Sequence, residues 1–142
     1  INSRMDSIQA AILNIKLNHI KEWTNKRKII AKRYNSLLKD NKKIVTPTIN
    51  DKCDPVWHLY VIQVSNRNAF IDDLEKNNVQ SIIHYPIPIN QQKAYKTHKL
   101  FNNKFEKSTP YAKRIVSLPI FPEMTKKEIN KVIDVVTKVS KK

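Results

Sequence analysis

The chain contains no glycine among its 142 residues. Glycine provides the positive φ angles and the close backbone approach on which phosphate-binding loops, nucleophile elbows and dinucleotide-binding turns depend. We therefore expect any cofactor cradle of that kind to lie outside these residues. The chain also begins at Ile1 rather than at an initiator methionine, and a helical pattern is under way by Met5. Both features predict that the chain is part of a longer protein.

Length and composition predict one folded domain without a metal site. The 142 residues suffice for a single core, and a hydrophobic content of 40% favours folding over disorder. Cys53 is the one cysteine, so neither a disulfide framework nor a cysteine cluster for zinc is expected. The sequence contains no signal peptide and no apolar run of membrane-spanning length, which predicts a cytoplasmic location and no membrane partner.

The net charge of +15 introduces an alternative function, that of a basic, non-catalytic nucleic-acid-binding domain. Such a domain needs positive charge clustered on one face. The lysines are instead spread over nearly every segment and are dense only at residues 25–28 and 138–142. We therefore expect no nucleic-acid partner.

Hydrophobic periodicity predicts two long N-terminal helices followed by a small sheet covered by helices. The first two helices are expected over residues 4–19 and from Ile20 to Leu38. Their inward-facing residues are expected to be Met5, Ile8, Ile12 and Ile15 in the first helix, and Trp23, Ile30, Tyr34 and Leu37 in the second. The other helical segments are 67–77, a broken helix over 91–105, a short helix at Thr109-Pro110 and a final helix after the capping box at Thr125.

Two strands are predicted from β-branched and aromatic residues, over 56–64 and 79–83, and residues 117–120 are expected to be extended. Residues 45–55, with two prolines, are expected to form a linker. The predicted fold class is α/β, in the form of an α+β small domain. His58, inside the first strand, is expected to be a core residue, whereas His19 and His98 are expected on the surface.

His84-Tyr85-Pro86-Ile87-Pro88 joins an imidazole and a phenol to a stiff backbone. Each proline fixes its own φ angle and pushes the preceding residue towards extended conformations. Rigidly held loops are common places for site residues. Taken alone, such a segment is more often a structural connector whose aromatic ring packs on the core.

An ordered set of short blocks resembles the sugar-nucleotide aminotransferases of the DegT/StrS type. The blocks follow the order of that family along almost the whole chain: Asn2-Ser3-Arg4-Met5-Asp6, Gln9-Ala10-Ala11-Ile12-Leu13, Trp23, Arg27, Ala31-Lys32-Arg33-Tyr34, Val56-Trp57-His58-Leu59-Tyr60, His84-Tyr85-Pro86-Ile87-Pro88, Ala94-Tyr95 and Ser117-Leu118-Pro119-Ile120-Phe121-Pro122.

This resemblance implies the C-terminal part of a pyridoxal-phosphate enzyme with the fold of type I aminotransferases. Residues 1–142 would be its small domain, with 1–40 as the helical connection to a large domain and 41–142 as a small α/β unit. The lysine that forms the Schiff base would lie in the large domain, so this chain would contain no catalytic residue and would be inactive alone. The intact enzyme would be a homodimer that transfers an amino group from glutamate to a keto sugar carried on a nucleotide, for surface polysaccharide or amino-sugar synthesis.

The resemblance also assigns candidate site residues. Asn2 and Arg4, just before the first helix, would bind the cofactor phosphate, and His84 and Tyr85 would contact the sugar or the donor carboxylate. Asn90 departs from the family, which often has a histidine at this position. The His-Tyr-Pro-Ile-Pro variant most resembles enzymes that act on a 3-keto-6-deoxyhexose bound to thymidine diphosphate. A third alternative remains open, because some relatives lack the Schiff-base lysine and act as sensors or dehydratases.

Overall fold

A computed structural model describes residues 3–95 and 108–141 of the chain. The helices are α1 (Ser7–Leu17), α2 (Ile20–Leu38), α3 (Arg67–Lys76), α4 (Ser108–Ala112) and α5 (Lys126–Val139), and the strands are β1 (Ile44–Val45), β2 (Tyr60–Val64) and β3 (Ile115–Leu118). Short 3-10 helices cover Ile89–Gln91 and Lys93–Tyr95. The predicted fold class is confirmed as an α+β unit of helices and a small antiparallel sheet.

The three strands form one antiparallel sheet in the order β1-β2-β3. Alternate residues of β2 are buried, so Tyr60, Ile62 and Val64 face the helices while Val61 and Gln63 lie half-buried on the opposite face. In β3, Val116 and Leu118 pair with Ile62 and Tyr60 and share the core face.

Helices α2, α3 and α5 cover the core face of the sheet. The five apolar residues predicted for the last helix are all buried: Ile129, Val132, Ile133, Val136 and Val139. Thr125 and Glu128 form the predicted capping box, because the Thr125 hydroxyl accepts from the backbone N–H of Glu128 and the Glu128 carboxylate accepts from the backbone N–H of Thr125. This cap fixes where α5 begins.

The ends of α2 agree with the prediction, but the buried face of the helix differs from the predicted face. Ile30, Ala31, Tyr34 and Leu38 are buried, whereas Leu37, which we expected inside, is 53% exposed. Ala31, Tyr34 and Leu38 share one face of the helix at spacings of three and four residues, and Tyr34 of this face contacts Tyr60 of β2. The second half of α2 thus shares one core with the sheet.

Helix α1 has no buried residue, contrary to the packed apolar face that its sequence predicts. Met5, Ile8, Ile12 and Ile15 are all exposed. No described element is packed closely enough on α1 to bury these side chains.

The predicted strand pattern required three corrections. Val45, the first residue of the expected linker, forms β1 together with the preceding Ile44, and the two residues pair with Gln63 and Val64. The strand expected over 79–83 is reduced to a single bridge between Ile82 and Ser117. The strand expected over 56–64 starts only at Tyr60, so His58 precedes it and is exposed rather than in the core.

The glycine-free chain uses other residues where the backbone turns left-handed. Trp57 has φ of 54° and Asn78 has φ of 55°. Asparagine tolerates this conformation comparatively well, but a bulky residue does so only when its surroundings hold it. The Trp57 ring lies half-buried against Tyr60, with ring centroids 5.5 Å apart, and this packing accounts for the left-handed residue just before β2.

None of the helices in the described ranges has both the length and the apolar character needed to cross a lipid bilayer.

Candidate functional site

The His84-Tyr85 segment lies on the face of the sheet opposite the helices. Ser117 pairs with Val61 of β2, so its side chain shares the face of Val61 rather than that of the core. Ile82 pairs with Ser117 on the other side, through Ser117 N–H to Ile82 O at 2.8 Å and Ile82 N–H to Ser117 O at 3.3 Å. His84 follows Ile82 by two residues, so this bridge positions the His84 segment beside Ser117.

His84 is anchored, whereas Tyr85 projects outwards. The Nδ1 atom of the half-buried His84 lies 2.9 Å from the Oγ atom of Ser117, within hydrogen-bonding distance. Tyr85 is 77% exposed, and its ring meets that of His84 at an angle of 74° with centroids 6.1 Å apart. The peptide bond between the two residues is cis. A fixed imidazole beside an accessible phenol provides two hydrogen-bonding groups suited to a polyhydroxylated ligand.

A groove of about 490 Å³ runs beside this segment. Its lining is mainly apolar and includes Tyr85, Ile87, Pro88, Ile89, Tyr111 and Ile115. The amide of Gln91 donates to the Thr109 hydroxyl at 2.9 Å, which ties the 3-10 helix after the prolines to α4. The volume lies within the range of small-molecule pockets. Asn90 is half-buried within that 3-10 helix.

Arg4 is exposed before the start of α1 and is not among the residues that line this groove. The structure therefore brings His84 and Tyr85 together but does not bring Arg4 to them. Asn2 and His98 lie outside the described residues, as does the part of the expected broken helix beyond Tyr95.

The N-terminus of α1 is closed by its own side chains. Asp6 Oδ1 accepts from the Gln9 N–H at 2.8 Å, and Gln9 Oε1 accepts from the Asp6 N–H at 3.2 Å. These bonds occupy the backbone N–H groups of Asp6 and Gln9, and the Asp6 side chain places a negative charge at the N-terminus of the helix, so this terminus does not suit a phosphate. Arg4 is exposed ahead of this cap and stays a predicted phosphate ligand.

No described lysine lies in an environment that would favour the neutral amine. Each is exposed except Lys28, which is half-buried and paired with Asp54. Within the described ranges, the resolved shift of a lysine pKa is upwards: the hydrogen bond that Lys26 donates to the Glu22 carboxylate raises the pKa of Lys26. A Schiff-base lysine needs the opposite shift, produced by burial or nearby positive charge.

Ser117 is a site residue that sequence reasoning missed. It is a hydroxyl side chain, only 5% exposed, within the otherwise apolar strand Ile115-Val116-Ser117-Leu118. A polar residue inside an apolar strand is the signal that could have identified it, because buried polar groups normally have hydrogen-bond partners. In the described part of the chain, no group of three or more His, Cys, Asp or Glu side chains is placed to hold a metal ion.

Comparisons with known proteins agree with the sequence resemblance. Residues 1–137 match the profile of the DegT/DnrJ/EryC1/StrS aminotransferase family. The chain is 41% identical over 138 residues to dTDP-3-amino-3,6-dideoxy-alpha-D-galactopyranose transaminase of Aneurinibacillus thermoaerophilus, with 97% of this chain and 37% of that protein covered. It is 35% identical to the erythromycin biosynthesis sensory transduction protein EryC1 of Saccharopolyspora erythraea, with 93% and 36% covered.

Among solved structures, the chain is similar to DesV from S. venezuelae in complex with a ketimine intermediate. The TM-score is 0.88 at 32% sequence identity, and the similarity covers 99% of this chain and 38% of that one. The chain thus spans somewhat more than a third of the length of the proteins it resembles.

Proposed function

The chain belongs to the DegT/DnrJ/EryC1/StrS aminotransferase family, and from this premise we propose that the complete protein is a pyridoxal-phosphate-dependent aminotransferase for keto sugars carried on nucleotides. The observation that carries the proposal is the match over residues 1–137, together with 41% identity to a dTDP-amino-sugar transaminase. Within that protein, residues 1–142 form the C-terminal small domain, residues 1–40 connect it to a large domain, and the remainder is a small α/β unit.

The groups available in this chain suit binding rather than covalent catalysis. Arg4 carries a planar, permanently charged guanidinium, a group that forms paired hydrogen bonds to phosphates. Its proposed role, with Asn2, is to hold the cofactor phosphate across a homodimer interface. Pyridoxal phosphate, when bound, supplies the electron sink for amino transfer. Because no described lysine is buried, we propose that the Schiff-base lysine belongs to the large domain and that this chain alone is inactive.

His84 and Tyr85 are proposed to contact the sugar nucleotide. The Ser117 hydrogen bond holds the His84 ring, while the exposed Tyr85 lines the apolar groove. Such a surface can bind a deoxysugar by combining apolar contact with a few directed hydrogen bonds. We propose a 3-keto-6-deoxyhexose on thymidine diphosphate as the acceptor and glutamate as the amino donor, in a cytoplasmic pathway of polysaccharide or amino-sugar synthesis.

The test is the visible spectrum of the complete gene product before and after addition of glutamate. A yellow cofactor band that bleaches with glutamate supports the proposed donor half-reaction. Amination of a 3-keto sugar nucleotide, in preference to its 4-keto isomer, would then support the proposed acceptor. Complete absence of a bound cofactor would contradict the proposal.

A second candidate function is regulatory, because one relative at 35% identity is named a sensory transduction protein. A member of the family without the Schiff-base lysine would act as a sensor or a dehydratase. Borohydride reduction of the complete protein distinguishes the candidates. Reduction that fixes the cofactor to one lysine supports the aminotransferase, and retention of cofactor without such fixation supports the alternative.

A further inference from the structure

Ser117 is held from both sides of its strand. Its backbone pairs with Val61 of β2 on one side and with Ile82 on the other. His84 lies two residues beyond Ile82 and is therefore a diagonal neighbour of Ser117 on the same face. The position of the Ser117 hydroxyl relative to the imidazole is consequently set by the sheet rather than by a mobile surface side chain.

The Ser117 hydroxyl has one proton to donate. Among the described residues, its hydrogen-bond partner is His84 Nδ1, at 2.9 Å, and Ser117 is buried. If the hydroxyl donates to Nδ1, the imidazole carries its own proton on Nε2 and the Ser117 donor is satisfied. If Nδ1 carries the proton instead, the hydroxyl proton is left in a buried site without an acceptor among the described residues, which is the less favourable arrangement.

We propose that Ser117 is a positioning residue that holds His84 in the Nε2–H tautomer, so that His84 offers a hydrogen-bond donor, and not a base, to an oxygen of the bound sugar nucleotide. This inference rests on the proposed function only for the identity of the ligand. The tautomer itself follows from the buried hydroxyl and its contact with Nδ1. The acceptor on the ligand is a hydroxyl, a keto or a pyrophosphate oxygen.

The tautomer can be measured without any enzymatic assay. The complete protein is labelled with nitrogen-15 in its histidines, and spectra are recorded at an alkaline pH at which histidines in proteins are neutral. His84→Gln identifies the His84 signals by their loss. We expect a protonated Nε2 and an unprotonated Nδ1. A protonated Nδ1 in the wild-type protein would overturn the proposal.

Hydroxyl variants test whether Ser117 is responsible. We expect Ser117→Ala to move the His84 Nδ1 signal and Ser117→Thr to leave it close to its wild-type position. Ser81→Ala is the matched control, because it removes a buried hydroxyl of the same segment for which the described residues provide no hydrogen-bond partner. If Ser81→Ala shifted the His84 signals as much as Ser117→Ala, the specific role of Ser117 would be refuted.

Side-chain replacement at residue 84 tests the donor role. The amide nitrogen of glutamine can reach the position of Nε2, whereas that of asparagine corresponds to Nδ1. We expect His84→Gln to raise the KM for the sugar nucleotide less than His84→Asn does, because only glutamine keeps a donor at the position of Nε2. His84→Asn should raise the KM about tenfold, as for the loss of one directed hydrogen bond. Equal losses in both variants would argue against donation from Nε2.

The changes of KM and kcat in Ser117→Ala distinguish a positioning role of Ser117 from a general loss of structure. We expect it to raise the KM for the sugar nucleotide several-fold with little change in kcat, because ground-state binding is lost. Unchanged kinetics in Ser117→Ala would overturn the positioning role. If the complete protein does not bind pyridoxal phosphate at all, the proposed function fails while the tautomer measurement still decides the inference about Ser117 and His84.

Discussion

The rings of Tyr34 and Tyr60 meet edge to face, with centroids 4.9 Å apart and planes inclined at 61°. Both side chains are fully buried, and each hydroxyl has a partner. Tyr34 donates to the Pro119 carbonyl at 2.8 Å, and Tyr60 donates to Asn35 Oδ1 at 2.6 Å. The pair therefore joins α2 both to β2 and to the segment after β3, the strand that carries Ser117.

Replacement of Tyr34 by phenylalanine should destabilise the fold modestly. Tyr34→Phe keeps the ring contact but removes the donor to Pro119, and we expect a loss of about 1 kcal/mol in the free energy of unfolding. Urea denaturation followed by tryptophan fluorescence measures this difference. Tyr111→Phe, at a half-exposed position, is the control and should change the free energy by less than about 0.5 kcal/mol. Equal effects at both positions would contradict the role of this hydrogen bond.

The same pair predicts instability in alkali. Burial raises the pKa of both Tyr34 and Tyr60 above the ordinary value of 10.0. The folded state therefore retains these protons at pH values where the unfolded chain releases them. Stability should be fully present below about pH 10 and should decline as the pH rises above it.

The measurement for this prediction is the urea midpoint as a function of pH, from about pH 8 to about pH 11. The double variant Tyr34→Phe with Tyr60→Phe should show a flatter decline, because it lacks both buried phenols. A decline of the same steepness in this variant would assign the alkaline instability to other groups.

The isolated chain should self-associate through α1. Ile8 and Ile15 are 75% and 66% exposed, and large exposed apolar patches favour association. We expect light scattering to detect oligomers of the unmodified chain and a shift towards monomer after Ile8→Glu with Ile15→Gln. The circular dichroism spectrum should be retained, since neither residue is buried. Ile30→Gln, in the core, should instead lose the fold. A monomeric unmodified chain would refute the prediction.

Removing the Arg4 charge should weaken cofactor binding in the complete protein. We expect Arg4→Gln to lower the affinity for pyridoxal phosphate about tenfold, measured by titration of the cofactor absorbance. Arg4→Lys should recover part of the loss, since a lysine keeps the charge but not the planar fork. The control is Arg114→Gln, an equal change of charge at another exposed arginine. An identical effect of the control would assign the loss to net charge.

Local signals predicted the helices well. The ends of α2 and the cap of α5 at Thr125 were both anticipated, because apolar spacing and a capping box are properties of neighbouring residues. The five apolar positions of α5 were also anticipated, since a single amphipathic stripe has only one way to face the core. The left-handed backbone at Trp57 was not anticipated, because packing of its ring on Tyr60 overrides the preference of a bulky residue for negative φ.

Non-local pairing limited the prediction of the site. His84 and Tyr85 could be selected as candidates from their place beside two prolines, but nothing in that segment indicates Ser117, 33 residues later in the chain than His84. For the same reason, the short strand β1 was missed and the strand expected over 79–83 was too long, since each pairing is defined by a distant partner. In helix α1, the apolar spacing predicted a buried face, but the described residues do not cover it and no residue of the helix is buried.

The bridge between Ile82 and Ser117 limits where a residue can be inserted into the chain. Side chains alternate between the faces of a strand, so one residue inserted between Ile82 and His84 would turn the imidazole away from the Ser117 hydroxyl. One residue inserted among the exposed positions 48–54 would alter no strand pairing of the sheet. Lineages of this domain should therefore vary in length before β2 and keep a constant length between Ile82 and His84.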